Sequence, residues 1–139
     1  MTQEDKELLL KDLCARLPYG VICRYEAVVP FLGDVLNYGP LQEIRRKGEY
    51  FIVNGADCLY EDVRPYLRPM SSMTEEELNE FRAFHCLYEW HPEFYAQMCN
   101  LPNMINMINW LNKKMFDYRG LIPMGLALEA PKDMYNKRY

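Results

Sequence analysis

Pro65-Tyr66-Leu67-Arg68-Pro69-Met70-Ser71-Ser72-Met73-Thr74-Glu75-Glu76-Glu77-Leu78-Asn79-Glu80-Phe81-Arg82-Ala83-Phe84 is the stretch whose reading decides the fold, because a strand-like half ends in it and a helical half begins. Thr74 followed by Glu77 is a capping box: the threonine oxygen accepts from the third helical amide, and the glutamate reaches back to the Thr74 amide. Met73 outside and Leu78 inside stand at the spacing of a hydrophobic staple, and three carboxylates in the first turn meet the positive end of the helix dipole. Upstream, Pro65 and Pro69 remove two backbone donors and bias Arg64 and Arg68 toward extended geometry, so a helix does not run through this region. The spacing therefore predicts a joint at 65–73, a turn or short linker between a β-rich part (1–64) and a helical part (74–139).

Working outward, the amino-terminal side opens with Thr2 and Asp5 as a second cap, and Leu9, Leu13 and Leu17 follow every four residues until Pro18 and Gly20 end the helix. That leucine stripe reads as a core face, with a partner-binding face as the alternative. Residues 21–29 are rich in Val, Ile and Tyr and close at Pro30, as a strand does. A second strand is expected over 31–38, with Gly33-Asp34 as a turn or bulge and Gly39-Pro40 as its end. Arg45, Arg46 and Lys47 beside Gly48 read as a solvated turn. Residues 49–53 and 56–60 form two strands around an Asn54-Gly55 hairpin turn. Short strands separated by turns suggest a small antiparallel sheet, curled toward a partial barrel and covered by helices.

On the carboxyl side, Leu78, Phe81, Phe84 or His85, and Tyr88 recur at helical spacing up to Pro92, and 94–99 continue as a short helix. Pro102 suits the first turn of the next helix, where Met104, Ile108, Leu111 and Met115 line one face. Asn103, Asn106, Asn109 and Asn112 recur every third residue, poor helix material that tertiary packing must hold in place. Asp117 caps a further turn of helix that stops at Gly125, and an extended piece runs on to Pro131. The expected class is α+β: an amino-terminal helix, a small antiparallel sheet and a helical carboxyl-terminal half in one domain of 139 residues.

Composition excludes several functions. The net charge of -4 argues against non-specific attraction to nucleic acid. No apolar run approaches the ~20 residues of a membrane span, and the acidic start lacks the layout of a secretory signal, so a cytoplasmic protein is expected. Five cysteines, Cys14, Cys23, Cys58, Cys86 and Cys99, form no Cys-x-x-Cys pair and read as reduced core thiols. His85, Cys86, His91 and Cys99 are the one cluster with metal-ligand chemistry, but histidines six apart turn to different faces of a helix. Glycines stand singly, outside any phosphate-loop pattern. Neither catalytic residue, cofactor nor metal is expected.

The segments Glu4 to Val21 (EDKELLLKDLCARLPYGV), Pro65 to Glu77 (PYLRPMSSMTEEE) and Phe116 to Tyr135 (FDYRGLIPMGLALEAPKDMY) resemble a group of small proteins encoded by gut Bacteroides, their phages and mobile elements. The resemblance implies a bacterial or phage cytoplasmic setting and carries no chemistry. Members have an acidic residue and a lysine where this chain has Pro123 and Met124, and the stretch 82–109 departs from the group, which makes that variable middle a place for a partner-specific function. Eleven tyrosines and nine methionines read first as the filling of an irregular core, with contact-forming surfaces as the alternative. The expected role is an accessory, non-enzymatic module that binds a protein or self-associates, through Trp90, Tyr95, Trp110 or Tyr118. The alternatives are a small phosphorylated ligand or nucleotide met by Arg119 or by Arg45 to Lys47, and nucleic-acid binding by the sheet.

Overall fold

Helix α1 (Gln3–Arg16) starts at the expected cap: Thr2 Oγ1 accepts from the Asp5 amide at 3.1 Å, and the Asp5 carboxylate accepts from the Thr2 amide at 3.3 Å. The structure, a computed structural model, describes residues 1–84 and 101–136, the side chains of 101–103 apart. After a short turn the chain lays down β1 (Ile22–Val29), β2 (Gly33–Pro40), β3 (Ile44–Lys47), β4 (Tyr50–Val53), β5 (Ala56–Leu59) and β6 (Val63–Leu67). Helices α2 (Glu75–Ala83) and α3 (Leu101–Lys113) follow, and then a two-residue strand, β7 (Leu128–Glu129). The class is α+β.

The strands divide into two sheets, in place of the single curled one expected. One has the order β2-β1-β6-β7 and the other β3-β4-β5, with β1 lying against β5. All neighbours pair antiparallel except β6 with β7. The Asn54-Gly55 turn forms as expected, with both residues at positive φ (51° and 84°). Asn54 then fixes the chain entering β3: its Oδ1 accepts from the Gln42 and Glu43 amides at 2.7 and 3.1 Å.

The predicted joint holds a strand. In β6, Val63, Pro65 and Leu67 are buried while Arg64 and Tyr66 alternate outward, the period of a half-buried strand. Proline is tolerated there because position 65 faces away from β1, and β7 does not begin to pair until Tyr66. The solvated turn expected at Arg45 to Lys47 is likewise a strand, β3, in register with Phe51 and its neighbours and exposed along its outer side.

A helical carboxyl-terminal half is not what forms. Among the described residues beyond 74 there are α2 and α3, after which 114–136 are mostly turns. Helix α3 ends where Met115 adopts φ 63°, with the Met115 amide on the Asn112 carbonyl and the Phe116 amide on the Leu111 carbonyl, a Schellman arrangement usually built on glycine. Asp117 accepts from the Leu121 and Ile122 amides at 2.7 and 2.9 Å, so it caps a turn as expected, but no helix propagates from it. Pro123, the residue after Ile122, has no amide to continue the run.

The interior joins both ends of the chain. Leu9 and Leu13 of α1 pack with Val21, Cys23, Phe51, Val53, Val63 and Leu67 of the strands, and Met115, Leu121 and Leu126 complete the same cluster. No helix of the described residues is long and apolar enough to cross a membrane.

Candidate functional site

The most polar clusters of the described chain are engaged in holding the fold. Arg16 and Asp12, one turn apart on α1, are both wholly buried. The guanidinium donates to the two Asp12 oxygens at 2.9 and 3.1 Å and to the Phe116 carbonyl at 2.7 Å, so it ties α1 to the chain leaving α3. Arg119 reaches the same carboxylate at 3.2 Å and donates to the Tyr118 hydroxyl at 2.8 Å, and that hydroxyl donates to Asn112. Arg119 and Tyr118, both read from sequence as contact residues, are thus parts of an intrachain network. Arg119 shares the Asp12 carboxylate with Arg16, and on the Arg45 to Lys47 strand Arg45 pairs with Glu43 at 3.3 Å.

Trp110 is also engaged internally. Its ring stacks with both Phe81 and Phe116, at centroid separations of 6.0 and 5.6 Å, and its indole N–H donates to Glu80 at 2.8 Å. Trp90 and Tyr95, together with His85, Cys86, His91 and Cys99, lie outside the described residues, as do the helix expected over 94–99 and most of the variable middle. On α3 the expected apolar face is split: Leu111 and Met115 are buried, whereas Met104 and Ile108 are exposed. Asn106 and Asn109 face solvent, and Asn112 turns inward to Tyr118.

A second charged pair secures the former joint. Arg68 grips Glu77 with two bonds of 2.6 and 2.7 Å while its guanidinium lies 4.2 Å from the centre of the Phe116 ring. The Arg68 bonds, helped by the Thr74 amide against an opposing cost of burial, hold the Glu77 carboxyl down at about 2. Tyr135 reaches back to the end of the first sheet. Its hydroxyl accepts from the Ile22 amide at 3.0 Å and donates to the Tyr66 carbonyl at 2.6 Å, standing between β1 and β6 where their ladder would otherwise continue.

The described thiols are unsuited to nucleophilic work. Burial, with the Asp12 charge adding, pushes Cys23 up to about 12. Burial and the Asp62 and Asp57 charges push Cys58 to about 11. Cys14, expected in the core, is exposed instead, because it sits on the outer side of α1.

Outward-facing apolar surface gathers on the β1–β2 hairpin. Pro30 takes the second place of its turn and Phe31 the third, at φ 72°, with the Leu32 amide bonded to the Val29 carbonyl at 3.3 Å. A type II turn requires positive φ at that third place, which normally selects glycine. A phenylalanine there costs about 1 kcal/mol or more of backbone strain. Its side chain gains nothing within the fold, since Phe31 is 106% exposed and Leu32 77%. Behind the tip, Val28, Val35, Leu36 and Tyr38 are exposed as well.

Among the described residues, the hairpin also presents a free backbone edge. The Leu41 amide bonds to the Val21 carbonyl, which with the register Cys23↔Gly39 through Val29↔Gly33 makes the odd-numbered residues of β2 the ones bonded to β1. Asp34, Leu36 and Tyr38 therefore aim their amides and carbonyls away from the sheet, and Pro40, which has no amide, falls on the same outward set. The other edges of the described sheets are blunted or covered: β3 carries three cations in four residues, β5 lies against β1, and β7 is two residues long.

Three clefts accompany these features. One of about 310 Å³ lies between the 68–74 turn and the last described residues and includes Arg68, Ser72, Thr74 and Lys132. A smaller one of about 220 Å³ adjoins it, between Arg68, Glu77 and Lys114. Another, of about 500 Å³, opens at the base of the hairpin between Tyr19, Ile22, Pro40, Met115, Met134 and Tyr135. On the outer face of the first sheet, Glu26, Asp34 and Asp62 bring carboxylate oxygens within 4.8 Å of one another, close to the tip. Arg24 and Arg64 are paired across strands nearer the base.

Phe31, Leu32, Leu36 and Tyr38 were not singled out from sequence as contact residues. The available signal was Val-Val-Pro-Phe-Leu-Gly-Asp over 28–34, an apolar pair at a proline turn where polar residues or glycine are usual. No protein-family model, no curated protein and no solved structure matches this chain.

Proposed function

We propose that this chain is a non-catalytic protein-interaction module whose contact surface is the β1–β2 hairpin, working as a cytoplasmic accessory protein of bacterial or phage origin. The observation that carries the reading is Phe31: a strained, fully exposed aromatic with an exposed leucine beside it, next to a strand whose outer edge is unpaired among the described residues. Local rules are broken at the tip with no return to the fold, which is where a function is expected. The charged groups of the two most buried polar clusters are bonded to one another, Asp12 with Arg16 and Arg119 in one and Arg68 with Glu77 in the other.

The test compares the chain with a Phe31→Gly/Leu32→Ser variant, each fluorescently labelled, by sedimentation velocity alone and in bacterial extract. The wild type is expected to enter a larger, saturable species, and the variant to remain small with an unchanged circular dichroism spectrum. Identical sedimentation of the two proteins under all conditions would contradict the reading.

A further inference from the structure

We propose that the hairpin's partner is a second copy of this chain, joined edge to edge through antiparallel β2 strands about a two-fold axis at Leu36. This rests on the hairpin being the contact surface and adds the partner, the register and the chemistry.

The outward amides fix the register. Placing Leu36 on the axis sets Leu36 opposite Leu36 of the second copy and Asp34 opposite Tyr38 of the second copy. All three outward donors of each strand, on Asp34, Leu36 and Tyr38, then meet outward carbonyls, and Pro40 is asked for none. A shift that brings Pro40 into the ladder would leave a carbonyl without a donor.

Side chains agree with that register. The even-numbered residues share the outer face, in cross-strand rows read from the pairing: Arg64, Arg24 and Tyr38 in one row, Glu26 and Leu36 in the next, then Val28 and Asp34. Antiparallel pairing extends the first row into Asp34 of the second copy, so the basic end of each hairpin runs beside the acidic end of the other. The two leucines meet on the axis, and no like charges stand opposite one another across the new seam. Pairing through the β3 edge would instead set the cations Arg45, Arg46 and Lys47 of the two copies against one another.

The tip also finds a place. In this register Leu32 of the second copy comes opposite Pro40, which lines the 500 Å³ cleft at the base of the hairpin beside Ile22 and Met134. Phe31 and Leu32 are therefore carried to apolar surface only when two chains pair head to tail. A single eight-residue strand at the seam makes a small interface, of the class that associates in the micromolar range.

Three variants at position 36 test this by sedimentation equilibrium. Leu36→Pro removes an amide that points away from β1, so the hairpin ladder survives, and the dimer dissociation constant should rise ~100-fold or more. Leu36→Lys and Leu36→Asp should each be monomeric, since each sets like charges on the axis, and mixing them should restore a dimer. Wild type that stays monomeric up to ~0.5 mM overturns the inference, because that exceeds any micromolar constant. So does a dimer indifferent to Leu36→Pro, or a Lys/Asp mixture that does not associate. The hairpin reading fails separately: if wild type is monomeric alone yet the Phe31→Gly/Leu32→Ser change abolishes a complex in extract, only self-pairing falls.

Discussion

Replacing Arg16 by methionine should be among the most damaging single changes in the described interior, and replacing Asp12 by leucine at the same time should undo most of the damage. Arg16 and Asp12 are both at 0% exposure, and they share two bonds of 2.9 and 3.1 Å. Removing one partner leaves the other buried and charged, which costs about 3–5 kcal/mol. In Arg16→Met the Phe116 carbonyl also loses its 2.7 Å donor, although Arg119 still faces Asp12. Against a total stability of about 5–15 kcal/mol for a domain of this size, either single change removes a large share. The Asp12→Leu/Arg16→Met pair exchanges two ions for two apolar side chains, the leucine somewhat larger than the aspartate it replaces, and buried pairs exchanged for apolar residues are often neutral. Arg119 then loses its carboxylate but is partly exposed and can be hydrated, so the double variant should lie within about 2 kcal/mol of wild type. Urea unfolding followed by circular dichroism gives the four corners of the cycle. A coupling energy near zero, with the double variant as unstable as the sum of the singles, would refute the claim that this pair pins α1 to the chain after α3.

Other outcomes follow from the remaining clusters. Glu77 is held at about 2 against an ordinary 4.5, so its contribution is complete above the unfolded value and is lost as pH falls from about 4.5 toward 2. That contribution is at most about 3 kcal/mol, and Glu77→Gln should flatten this acid limb in melts taken across the range. Tyr135→Phe strands the Ile22 amide and the Tyr66 carbonyl, and should lower stability by about 1–3 kcal/mol in urea titrations. Alkylation followed by peptide mapping should label Cys14 quickly while Cys23 and Cys58 stay protected until unfolding; early labelling of Cys23 would contradict its burial. Phe31→Gly should raise stability by up to about 1 kcal/mol, because glycine takes φ 72° without strain, and a loss on that scale would mean the ring packs somewhere.

Much of this arrangement is legible in the residues, and the misses have physical causes. Caps are local, so Thr2 with Asp5 and Thr74 with Glu77 could be read directly and form as read. Asn54-Gly55 is likewise a local signal with one geometric solution. The strand at 63–67 was hidden because two prolines argue against a ladder, and only the pairing geometry shows that position 65 needs no donor. Arg45 to Lys47 look like a turn by composition, yet three cations are what an exposed edge strand carries. Arg16 and Asp12 looked like ordinary helix charges, and their burial depends on residues about a hundred positions away. Tryptophan and tyrosine were weighted as contact residues by type, but Trp110 and Tyr118 had partners within the chain that no spacing rule reveals. The hairpin tip could have been weighted instead, since an apolar pair at a proline turn has little reason to exist for the fold alone.

The outward edge of β2 is tested most directly by residue-resolved amide hydrogen exchange at low and high protein concentration. In dilute solution the Val35 and Asn37 amides should be protected by β1, while those of Asp34, Leu36 and Tyr38 exchange freely. At high concentration the second set should become protected as well. Free exchange of Asp34, Leu36 and Tyr38 at every concentration, with or without extract, would contradict the account.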